Sequence, residues 1–101
     1  MLDIKNLTQV VLENKIKNNF PTNDLHHDFF LLMKEVIEAK QVLDDHDKLR
    51  KELADIVIFT MSVARIAGID LEKEIVDKVE YNKNRSYKPG TFRLENKDSQ
   101  Q

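Results

Sequence analysis

The chain has no cysteine and no tryptophan, and only two glycines and two prolines in 101 residues. Without cysteine there is neither a disulfide framework nor a thiolate metal site. So little glycine and proline leaves too few turn residues for a β-sheet fold. No apolar run approaches the roughly 18 residues of a membrane span. No basic, apolar and small-residue sequence of the secretory type opens the chain. A dominant charge is missing as well: 16 Lys and Arg stand against 18 Asp and Glu, a formal net charge of −2 with the signs interspersed. Such a surface offers no footprint for nucleic acid or an anionic membrane. A cytoplasmic location is the default expectation.

What is present is a 41% hydrophobic, 34% charged sequence with long periodic segments, the pattern of an all-α fold in a single domain. The domain is expected over residues 1–88, with a turn at Pro89-Gly90 and a polar tail over 89–101. Asp3 to Asn18 reads as a first helix with a partial apolar stripe of Ile4, Leu7, Val10, Val11 and Ile16. It ends in the NNFPTND stretch, where Pro21 breaks the pattern. A second helix starts at Asn23 or Asp24, either of which can cap it, and continues to about Leu43. Its first-turn residues His26 and His27 read as exposed rather than ligating, and Phe29 and Phe30 as core. Residues 44–47, DDHD, read as a capped turn between two antiparallel helices, since they lack the glycine and twelfth-position Glu of a calcium loop.

A third helix is expected from Asp47 to Ala67, closed by Gly68. Its apolar residues from Leu53 to Ile66 occupy nearly the whole circumference, and a helix apolar all round must be covered on all sides. Four short helices hardly achieve that in one protomer, so oligomerisation is expected. Asp70 caps a fourth helix, Leu71 to Arg85, on which Lys78, Asn82 and Arg85 form one stripe beside Tyr81. Two cations and an amide on one face suit an anion such as phosphate.

Four acids stand out against this background. Glu35 and Glu38 are three residues apart, as are Glu52 and Asp55, and the pairs are separated by thirteen residues, Ala39 to Lys51. At about 100° per residue each pair lies on one helix face, one turn apart. The wheel sets Glu35 between Leu31 and Ala39, Glu52 among Ile56, Phe59 and Val63, and Asp55 beside Ser62, with only Glu38 at a polar border. Unpaired carboxylates in apolar surroundings are costly and repel one another. They must be protonated, meet cations, or hold a metal, and carboxylates at i and i+3 on two helices suit a hard ion such as Mg²⁺.

The combination of EVIE at residues 35–38 and ELAD at 52–55 resembles the ExxE and ExxD signature of the MazG-type all-α nucleotide pyrophosphohydrolases. The similarity continues through ARIAGIDLEKEI and through KVEYNKNR, which is similar to a KxxxNxxR element, and covers roughly residues 25–93. The resemblance implies a MazG-like four-helix bundle completed by oligomerisation, as a homodimer or homotetramer. It also implies Mg²⁺-dependent (or Mn²⁺-dependent) hydrolysis of a nucleoside triphosphate, ribo or deoxy, between the α and β phosphates. By match of position Glu35, Glu38, Glu52 and Asp55 would be the catalytic metal ligands, and Lys78, Asn82 and Arg85 would meet the phosphates. Ile37 stands where many relatives carry glycine, Lys51 where a further acid is frequent, and Lys88-Pro89-Gly90 where a His-Gly pattern is usual. These departures bear on substrate choice and turnover more than on metal binding. Two other readings compete: a non-catalytic nucleotide-binding or assembly module that retains the acids, and a di-iron bundle, against which the missing ExxH pattern counts.

Overall fold

The computed structural model describes residues 2–85. Over these residues the chain folds into four helices: α1 (Ile4–Lys17), α2 (Leu25–Gln41), α3 (His46–Ile66) and α4 (Leu71–Lys83). All four begin the same way. The carboxylates of Asp3, Asp24, Asp45 and Asp70 each accept the backbone N–H three residues on, at 3.0–3.1 Å. An acid there satisfies an orphan donor and complements the positive end of the helix dipole. Two helices also end alike, with a left-handed residue after the cap: Asn19 (φ 59°) after α1 and Gly68 (φ 73°) after α3. At each, paired N–H groups return to the last turn: Phe20 to the Lys15 carbonyl, and Ile69 to that of Ala64.

The helix ends expected from sequence fall within a few residues of these, and the largest functional difference is at α4. It stops at Lys83, so Arg85 lies past the helix rather than on its third stripe position. The Asn84 side chain donates to the Glu80 carbonyl at 3.0 Å. Such local bonding competes with helix continuation. The turn at Pro89-Gly90 and the tail lie outside the described residues.

The antiparallel pair α2 and α3 forms the centre, α1 lies across α3, and α4 makes only slight contact with α1 and α3. The Ile4 N–H, an orphan donor at the start of α1, is taken up by the Glu72 carboxylate at 3.0 Å. The Arg65 guanidinium donates to the Thr22 carbonyl and ties α3 to the loop before α2. The fully buried apolar set is small: Ile4, Ala39, Met61 and Ala64. Phe29 and Phe30, expected in the core, are 49% and 63% exposed, because they lie on a part of α2 that no other helix among the described residues covers fully. Leu53 and Val57 on α3 and Ile75, Val76 and Val79 on α4 are likewise about half exposed or more. Among the described residues no helix is long and apolar enough to cross a membrane.

Candidate functional site

Glu35 on α2 faces Glu52 and Asp55 on α3 because the two helices run antiparallel. The ligand oxygens of these three residues lie within 4.8 Å of one another. Each side chain is half-buried rather than sunk in the core as the wheel implied, since the α2/α3 seam is open on one side. Burial first, and then the negative charges of Glu38, Glu52 and Asp55, push the Glu35 carboxyl above its ordinary range, while Lys34 pulls the other way. Oε2 of Glu52 is buried with no hydrogen-bond partner among the described residues. Among the described residues none of the three has an ion pair. An orphaned carboxylate oxygen within an all-oxygen donor set fits a hard divalent cation.

Glu38 is placed differently. It stands one turn along α2 at the polar border, 3.8 Å from Lys34, and is not one of the three whose oxygens converge. Its charge still reaches Glu35. Lys78 and Asn82 keep their i, i+4 spacing on α4, whereas Arg85 lies past its end, and both cations approach the ring of Tyr81. The Lys78 ammonium is 5.3 Å and the Arg85 guanidinium 4.8 Å from its ring centroid, distances at which a cation is attracted to the ring face.

No family model, curated protein or solved structure matches this chain. The candidate site therefore stands on its geometry.

That geometry includes a polar cluster that sequence reasoning passed over. Lys15 of α1 places Nζ 2.5 Å from Oδ2 of Asp28 on α2 and 2.9 Å from Oγ of Ser62 on α3. The Ser62 hydroxyl donates to the same carboxylate oxygen. Lys15 is 9%, Asp28 0% and Ser62 2% exposed, so one residue from each of three helices meets in the interior. Asp28 Oδ1 is buried there without a hydrogen-bond partner among the described residues. The signal in the sequence is faint but present: Lys15 continues the row Ile4, Thr8, Val11 on α1, and Asp28 opens the row Leu32, Glu35, Ala39 on α2.

Beside this cluster, α1, α2 and α3 enclose a cavity of about 640 Å³. Along α2 the row Asp28, Leu31, Glu35 joins the cavity to the acids, and along α3 the row Ser62, Phe59, Asp55 does the same. Seven residues of helix rise, about 10 Å, separate the two ends.

Proposed function

We propose that the chain is a divalent-metal-dependent nucleoside triphosphate pyrophosphohydrolase of the MazG-like type, cleaving an NTP or dNTP between the α and β phosphates to a monophosphate and pyrophosphate. The observation that carries this reading is the convergence of Glu35, Glu52 and Asp55 with an orphaned oxygen on Glu52. The paired acidic motifs and their resemblance to that family support it. Glu35, Glu52 and Asp55 would hold Mg²⁺ or Mn²⁺, with Glu38 completing the set from the edge of the seam. Such an ion supplies Lewis acidity toward phosphate oxygens and lowers the pKa of water. One carboxylate of the four takes the proton of the attacking water. Lys78 and Arg85 meet the phosphates as cations and Asn82 as an amide donor, so hydrolysis becomes chiefly a matter of positioning and electrostatics.

A homodimer or homotetramer belongs to the same reading. Its support is the half-exposed apolar residues of α2, α3 and α4, which a second copy would cover.

The test is pyrophosphate release from a panel of NTPs and dNTPs with Mg²⁺, with the products identified. Glu38→Gln and Asp55→Asn are expected to abolish turnover and keep the helical fold, because repulsion among the acids falls. Wild-type turnover in both variants would remove the site assignment. Nucleotide binding with no turnover of any nucleotide would favour the competing reading, a non-catalytic nucleotide-binding module.

A further inference from the structure

The cavity between α1, α2 and α3 has a composition that the acidic site does not explain. Its volume of about 640 Å³ lies within the roughly 300–1,000 Å³ of small-molecule pockets. Its walls include Val10, Val11, Leu31 and Ile58, with the rings of Phe20 and Phe59. These suit the faces of a flat heterocycle. The polar part of the lining is Asn14 and His27 together with the buried cluster of Lys15, Asp28 and Ser62.

The bonding of that cluster is unequal. Oδ2 of Asp28 already accepts from the Lys15 ammonium and the Ser62 hydroxyl. Oδ1 is buried and accepts from nothing among the described residues. An ionised carboxylate only accepts, so the unused oxygen calls for an N–H donor from whatever fills the cavity. We propose that the cavity is a nucleobase site selecting amino-bearing bases (cytosine, adenine or guanine) over uracil and thymine, with Asp28 Oδ1 as the selecting atom. An exocyclic amine presents its N–H to that oxygen. The one ring N–H of an uncharged uracil or thymine base that is not used by the sugar is flanked by two carbonyls, which would be forced against the carboxylate. A site built around a buried acceptor discriminates strongly against a base that leaves it unpaired.

The position fits as well. The cavity lies about 10 Å along the α2/α3 seam from the acids, a gap that a sugar and its first phosphate bridge. The proposal deepens the pyrophosphohydrolase reading and rests on it for the identity of the ligand as a nucleotide.

Binding of free cytidine, adenosine, guanosine, uridine and thymidine to the full chain in chelator, followed by ligand-observed NMR, tests the cavity without metal or phosphate. The amino-bearing nucleosides are expected to bind at least about tenfold more tightly than uridine and thymidine. Asp28→Asn, whose carboxamide both donates and accepts, is expected to narrow that ratio to about twofold. Val10→Trp puts a bulkier side chain at the half-exposed rim of the cavity, and is expected to abolish binding of all five. It serves where Asp28→Asn fails to fold. Equal binding of all five, an unchanged ratio in folded Asp28→Asn, or undiminished binding in Val10→Trp would each overturn the proposal. Discrimination among nucleosides with no pyrophosphate release from any triphosphate would sink the hydrolase reading and leave the cavity site standing. Turnover indifferent to the base would do the reverse.

Discussion

Lys15→Met removes one ammonium and nearly nothing else, since methionine keeps an unbranched apolar stem. Its consequence follows from the surroundings of Asp28, which is 0% exposed and has Lys15 as its ion-pair partner at 2.5 Å. Breaking a buried pair by taking one partner away costs about 3–5 kcal/mol, because the other charge stays buried without compensation. Domains have about 5–15 kcal/mol of stability in all, so this single change removes a large share. At about 4–8 °C per kcal/mol for a domain of this size, Tm falls by roughly 12–40 °C. The complement is the triple replacement Lys15→Met, Asp28→Leu, Ser62→Ala, in which no polar atom of the cluster is left behind. Apolar residues of similar volume in place of a buried pair are often neutral or better by about 1–4 kcal/mol, so the triple variant is expected to regain most of the loss. Ser62→Ala belongs in the set because Asp28→Leu alone would strand the Ser62 hydroxyl, a cost of about 1–3 kcal/mol. Urea unfolding followed by far-ultraviolet circular dichroism, at one fixed protein concentration, reads both variants. The reasoning is refuted if Lys15→Met loses under about 1 kcal/mol, or if the triple variant is less stable than Lys15→Met.

Glu35 gives a pH-dependent counterpart in metal-free protein. Its folded-state pKa is raised from an ordinary value of 4.5, chiefly by burial, so the native state binds the extra proton and stability declines as pH rises from 4.5 through the raised value. Glu35→Gln is therefore expected to melt higher than the parent at about pH 7 in chelator, and to lose that advantage below about pH 4; an advantage independent of pH would contradict the assignment. Light scattering is expected to give a mass of two or four times 11.9 kDa. Val57→Asp, at a half-exposed position on α3, is expected to shift that mass toward the monomer; a monomeric parent would remove the oligomer from the reading.

The helices were legible because their ends obey local rules. Asp24, Asp70 and Gly68 do in the structure what capping chemistry asks of such residues in any sequence. Phe29 and Phe30 were not legible in the same way. Periodicity shows that α2 has an apolar face, but not whether the chain itself supplies enough helices to cover it. Among the described residues it does not. Arg85 illustrates a different failure: the stripe with Lys78 and Asn82 assumed two more residues of helix than Asn84 allows. The acids were found because a lone charge in an apolar run is visible within one helix, whereas Lys15 and Asp28 each lie near a helix end, where a charge is ordinarily solvated. Only the tertiary meeting of α1 with α2 and α3 makes them a buried pair.

Placed on one seam, the two clusters point in opposite directions. At the Asp28 end, α1 delivers a cation from within the chain, and one carboxylate oxygen is satisfied twice over. At the Glu35 end, three half-buried carboxylates converge with no ion pair among the described residues, and Glu35 is driven toward its neutral form. A fold that neutralises one acid internally and leaves three together two helical turns away does not lack the means to supply a lysine. In the proposed reading the second charge is balanced by a cation that binds. Binding there, unlike a fixed ion pair, can respond to the arrival of a polyphosphate whose charge also needs a cation. The imbalance along the α2/α3 seam, more than any single residue, is what supports the proposed nucleotide chemistry.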